Sequence, residues 1–199
     1  MADDYLYDIF ISYRRIPLVS DWMRNHFYPT LEQWLPNYLP VEKQVKIFID
    51  WKIETGEAWP QSLKRALSKS RCLLPIWSPE YFRSEWCLAE WYTMLEREKI
   101  LNLQTGENPI GLTYPIVFAD GKHFPERAKR VQQKRDLRKW NYPYEVFRQT
   151  KGIIDFDREV QVIAQELALM IGRSPAWSPD WPVITPNSVT EVTMDIPRL

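Results

Sequence analysis

A chain of 199 residues suits one compact domain of ordinary size plus some tail, and 45% hydrophobic residues are enough to build its core. Lys+Arg and Asp+Glu both number 26, so no net charge draws the chain toward nucleic acid or an anionic membrane. No run approaches the roughly 18 apolar residues of a membrane span. The acidic start MADDYLYD lacks an apolar secretory core. The two cysteines, Cys72 and Cys87, set no disulfide framework, so a reducing cytoplasm is the expected setting.

In chain order, Tyr7 to Tyr13 (YDIFISY) is a β-branched and aromatic run that predicts a buried strand. Ser20 is the expected cap of a helix reaching about Tyr38, with Trp22, Phe27, Leu31, Trp34 and Leu35 on one face. Val45 to Ile49 predicts a second strand, and Asp50 to Pro60 a loop in which Gly56 gives a permissive backbone. A short helix is expected over Pro60 to Lys69, then a third strand over Cys72 to Trp77. Pro75 belongs at that strand's exit end, because proline cannot donate to a ladder. Pro79 to about Leu101 predicts one long helix, Tyr114 to Phe118 a fourth strand, Gly152 to Ile154 a short fifth, and Asp157 to Ile171 a final helix.

Strands that alternate with helices imply a parallel sheet covered on both faces. The expected fold is α/β, with a flavodoxin-like five-stranded parallel sheet in order 2-1-3-4-5 and helices on both faces. Any ligand belongs in the crevice at the carboxyl ends of the strands. Two segments depart from the pattern. Residues 120–140 carry eight Lys/Arg against three Asp/Glu; a solvated helix or loop is the expectation, ahead of a nucleic-acid contact. The domain is expected to cover residues 1–172. Residues 173–199 hold five prolines and form a tail or linker, which either packs Trp177 and Trp181 on the domain or leads to a partner or fused sensor domain.

Several chemistries are excluded. His26 and His123 are the only histidines and sit at no ligand spacing, so no metal site is expected, nor a Ser-His-Asp hydrolase. No Gly-rich phosphate loop is present. Carboxylate chemistry remains. In Ser84 to Glu90 (SEWCLAE), Trp86 and Glu90 are neighbours on one helical face, at the carboxyl edge of the sheet. An indole suits a flat, cationic nicotinamide, and a fixed carboxylate favours an oxocarbenium-like ribose. Such a pair is also common as plain surface charge and core packing. Cys87 has no basic neighbour at helical spacing and is expected to be a packed thiol.

Four motifs in order carry a resemblance: Tyr7 to Arg15 (YDIFISYRR); Ile47 to Asp50 with Glu54-Thr55-Gly56-Glu57; Ser70 to Ser78 (SRCLLPIWS); and Ser84 to Glu90. Together they resemble the Toll/interleukin-1 receptor (TIR) domain family over residues 7 to about 100, and more loosely to about 172. The last motif resembles the helix bearing the catalytic glutamate in members that cleave NAD⁺. The resemblance implies that Glu90 is catalytic. It implies that Trp86 stacks on the base, and that Ser12, Arg14, Arg15, Asp50 and Trp51 line the NAD⁺ site, with arginine pairing to the diphosphate. Trp51 departs from the charged or polar residue common at that position. NAD⁺ is then the substrate, with nicotinamide and ADP-ribose or a cyclic isomer as products. Activation is by self-association, through the loop from Trp51 to Trp59, in cytoplasmic defence of bacterial type; that setting is analogy alone. Two rivals are a non-catalytic TIR scaffold and an N-glycosidase of the nucleoside deoxyribosyltransferase type.

Overall fold

The structure is a computed structural model and describes residues 4–52, 59–103, 111–131 and 134–186. Strands β1 (Tyr7–Tyr13), β2 (Ile47–Phe48), β3 (Ser70–Trp77), β4 (Ile116–Val117) and β5 (Arg135–Asp136) form one sheet in the order β2-β1-β3-β4-β5. Every pairing is parallel, so the expected architecture holds. Successive side chains of a strand point to opposite faces, and the core divides accordingly. Ile9, Ile11, Cys72, Leu74 and Ile76 pack with α1 (Pro17–Trp22), α2 (Tyr28–Trp34) and α7 (Gly152–Gly172). Phe10, Leu73, Trp77 and Val117 pack with α3 (Trp59–Ser68), α4 (Pro79–Phe82) and α5 (Glu85–Ile100).

Several elements differ from expectation. The first helix is not capped by Ser20. It begins at Pro17, which its fixed φ suits to a first helical position, and Ile16 is the N-cap without a side-chain bond. A π-helical turn, Met23–Phe27, follows. Trp22 and Phe27 are five residues apart, which an ordinary helix turns about 140° away from each other. The wider turn brings both into the core, stacked with centroids 5.0 Å apart.

Pro75 lies two residues inside β3, and its missing N–H accounts for a break in the β3–β4 ladder. Leu73 is bonded to Leu112 and Tyr114, each at 2.8 Å, and pairing resumes only at Ile76 with Ile116. The long helix expected from Pro79 divides, because Ser84 takes an extended backbone and caps α5, its Oγ accepting from the Cys87 N–H.

The fifth strand is not at Gly152, where α7 begins; it is Arg135–Asp136, inside the basic segment. Two charged residues show no apolar alternation, and β5 is held instead by its ladder to β4 and by Arg135 bound to Glu166 and Glu159 of α7. Three further basic residues are engaged locally: Lys129 with Glu126 within α6 (Glu126–Lys129), Arg138 with Asp136, and Arg127 over Tyr92.

After α7 the chain packs back on the domain. Tyr5 OH donates to the Pro175 carbonyl (3.0 Å), Trp177 Nε1 to the Ser68 carbonyl (2.9 Å), and the Ile184 N–H to Thr93 Oγ1 (2.9 Å). Trp181 covers the Arg97 guanidinium at 5.1 Å. Trp181→Ala should therefore cost roughly 1–2 kcal/mol in chemical denaturation; an unchanged midpoint would mean that the segment merely rests on the surface.

Candidate functional site at the carboxyl edge

The sheet reverses direction of build between β1 and β3, and a crevice belongs there. Ser12, the penultimate residue of β1, points to the α5 side, opposite its register partner Pro75. The second turn of α5 brings Glu90 to the same place. Both are buried, Ser12 1% and Glu90 6% exposed, and Ser12 Oγ is hydrogen-bonded to Glu90 Oε2. Removal from water is the main cause that raises the Glu90 pKa to about 8; the Ser12 bond opposes it, Asp50 adds to it, and Arg15 opposes it. An ordinary helical glutamate would be exposed and ionised, so this one is the perturbed carboxylate of the crevice.

Tyr81 completes the cluster. It is fully buried, its OH lies 2.9 Å from Ser12 Oγ, and it donates to the Cys87 carbonyl at 3.0 Å. The sequence reading missed it, because one unbroken helix from Pro79 would carry Tyr81 away from Cys87. Ser84 was the available signal: a residue of N-cap type directly before the helical run. Cys87 is buried, and desolvation raises its thiol pKa, in keeping with a packed thiol.

Around this centre the other expected residues form a rim. Asp50, just past β2, accepts from Tyr13 OH at 2.7 Å and binds Arg15 Nε. Arg15 is thus tied to Asp50, whereas Arg14 is exposed and has no ion-pair partner among the described residues. Trp51 is half-buried, edge-on to Tyr13 (5.8 Å) and Tyr28 (5.6 Å), with the Arg24 guanidinium 5.3 Å from its ring. Trp86 is half-buried on the first turn of α5, against the second core cluster. The loop motif Glu54 to Glu57, with Gly56, lies outside the described residues. Among the described residues, no three His, Cys, Asp or Glu cluster to hold a metal ion, and no helix is long and apolar enough to cross a membrane.

A family model described as TIR domain matches residues 9–149. The chain is 30% identical to disease resistance protein RUN1 of Vitis rotundifolia over 112 residues, 56% of this chain and 7% of that protein. It is 27% identical to disease resistance-like protein CSA1 of Arabidopsis thaliana over 178 residues, 83% of this chain and 14% of that protein. The chain thus spans a small part of the length of these curated relatives. Among solved structures it aligns with the TIR domains of the activated Roq1 resistosome that recognises the effector XopQ, at 22% identity and a TM-score of 0.40, covering 95% of this chain and 98% of that one.

Proposed function

The chain belongs to the TIR domain family, and from that footing we propose that it is an NAD⁺ glycohydrolase or cyclase that breaks the bond between nicotinamide and ribose. The observation that carries this reading is Glu90: a buried carboxyl, bonded to Ser12, where the strands end between β1 and β3. Burying an ionisable group costs stability that an apolar residue would not, and a carboxyl so perturbed at the mouth of a crevice is a candidate for function.

The chemistry needs one carboxylate and no second acid. The glycosidic C–N bond breaks with its electron pair going to the positively charged pyridinium, so nicotinamide leaves neutral without a proton. The ribose C1′ becomes oxocarbenium-like, and water or a nucleophile of the same molecule then closes on it. Glu90 in its ionised form stabilises that cation. Before substrate binds, burial favours the proton on Glu90; a cationic nicotinamide beside it favours its loss. Exposed Arg14 is the cation of the rim suited to the diphosphate, and Trp86 lies one turn from Glu90 on the same helical face, in reach of the base.

The setting we propose is cytoplasmic defence signalling, with activity raised by self-association. The two plant disease-resistance relatives support a defence role; the bacterial setting rests on analogy. Chromatography of nicotinamide released from NAD⁺, with free nucleosides as control substrates, tests the reading and separates it from a deoxyribosyltransferase. In the same assay Trp86→Ala should raise KM about tenfold or more, the loss of one stacking contact of roughly 1–3 kcal/mol, with a melting temperature near wild type. A variant that melts early at unchanged KM would make Trp86 a packing residue only.

A further inference from the structure

We propose that Tyr81 is a positioning residue for Glu90: its hydroxyl ends a relay running from Glu90 through Ser12 and Tyr81 to the Cys87 carbonyl, and one of the three bonds exists only while Glu90 carries its proton. The bonds are Glu90 with Ser12, Ser12 with Tyr81 at 2.9 Å, and Tyr81 with the Cys87 carbonyl at 3.0 Å. Each hydroxyl has a single proton to give. With Glu90 protonated, all three bonds form in one direction: Glu90 donates to Ser12, Ser12 to Tyr81, and Tyr81 to the carbonyl. With Glu90 ionised, Ser12 must turn its proton to the carboxylate. Tyr81 then has one proton for two acceptors, Ser12 Oγ and the Cys87 carbonyl, and one bond is lost. A Tyr81 hydroxyl thus holds Glu90 neutral until a cationic ligand draws the proton off.

The other groups acting on Glu90 are few. Arg15 from the end of β1 and Asp50 from the turn after β2 act with opposite signs and bind each other. Cys87 on α5 is a buried thiol whose pKa burial raises, beside which Arg14 acts in the opposite sense. Tyr81 itself is held above the usual phenol range by burial, so at neutral pH it serves as donor and acceptor and not as an anion.

Tyr81→Phe keeps the ring and removes the relay's end. The protonated form of Glu90 then loses two bonds and the ionised form one, so the balance moves toward ionised Glu90. One hydrogen bond of difference lowers the titration midpoint by about half to one pH unit. Ser12→Ala cuts the relay at its middle: the protonated form loses two neutral bonds and the ionised form one charge-assisted bond of about twice the strength, so its midpoint stays near that of the wild type. General loosening of the site would move both variants alike.

The test is a carbon-13 NMR titration of the Glu90 side-chain carboxyl, assigned by its absence in Glu90→Gln, in wild type, Tyr81→Phe and Ser12→Ala. A second reading needs no Tyr81 variant: in the wild type the Tyr81 ring carbon bearing oxygen should shift with the midpoint of Glu90, and stay still in Glu90→Gln. A midpoint lower in Tyr81→Phe than in Ser12→Ala and wild type, and a Tyr81 signal that follows Glu90, are the expected results. Coincident Glu90 titrations in wild type and Tyr81→Phe, or a Tyr81 signal indifferent to Glu90, overturn the proposal. Its consequence for rate rests on the reading of Glu90 as the working carboxylate: kcat/KM for NAD⁺ should rise with pH through the wild-type midpoint and at lower pH in Tyr81→Phe. The relay seen in a protein that leaves NAD⁺ intact would reject the proposed function alone; cleavage with coincident titrations would reject the relay alone.

Discussion

Glu90→Gln should lose NAD⁺ cleavage by at least about a hundred- to a thousandfold, the scale of removing one preorganised electrostatic partner of a transition state, and should gain stability as it does so. Gln keeps the size and hydrogen-bonding ability of the side chain but cannot carry the charge that an oxocarbenium needs. The gain in stability comes from proton linkage. The folded protein holds Glu90 at about 8, whereas an unfolded chain holds glutamate near 4.3. As pH rises from about 4.5 to about 8, the unfolded state gives up its proton first, so the wild type loses stability across that window by up to a few kcal/mol. Gln has no such loss. Melting curves of the two proteins should nearly coincide at pH 4, with the variant above wild type at pH 8. Equal turnover, or a variant less stable at pH 8, would show that Glu90 is an ordinary structural residue.

The second large effect belongs to Arg97. This side chain is wholly buried two turns beyond Glu90 on α5, and no carboxylate forms an ion pair with it among the described residues. Its guanidinium donates to the carbonyls of Leu67 (3.2 Å) and Ser70 (3.4 Å), at the end of α3 and the start of β3, and Trp181 covers it. Burial lowers its pKa to about 10, so it is still a cation at neutral pH. It serves the carbonyl end of a helix, where positive charge is favoured. Arg97→Ala would open a cavity and leave buried carbonyls without donors, at a cost of about 3–5 kcal/mol. For a chain of this size that lowers the melting temperature by roughly 10 °C. Arg97→Met keeps most of the stem and so avoids the cavity, but it leaves the same carbonyls without donors, so it should melt between Arg97→Ala and wild type. If both variants melt with wild type, Arg97 does not join α3, α5 and the segment after α7.

Much of the fold was legible because the chain spells it in long runs. YDIFISY and SRCLLPIW are apolar on both faces, as strands buried on both faces must be, and the parallel order follows from the alternation with helices. What escaped has physical causes. β5 is two charged residues long and is held by Arg135 and Glu166, which lie 31 positions apart; no local pattern announces it. The π-helical turn at Met23 is a tertiary demand of Trp22 and Phe27 on the core, stronger than the local preference for a regular helix. In the site, Glu90 and Trp86 were visible from one segment. The bond from Ser12 to Glu90 spans 78 positions and required the fold, and Tyr81 required the break at Ser84.

The central claim is that this chain cleaves NAD⁺ at the nicotinamide–ribose bond. The direct measurement is mass spectrometry of NAD⁺ incubated with the concentrated wild-type protein and, in parallel, with Glu90→Gln at equal folded concentration. The account predicts nicotinamide together with ADP-ribose or its cyclic isomer in the first and intact NAD⁺ in the second. Intact NAD⁺ in both, or the same products in both, would contradict it.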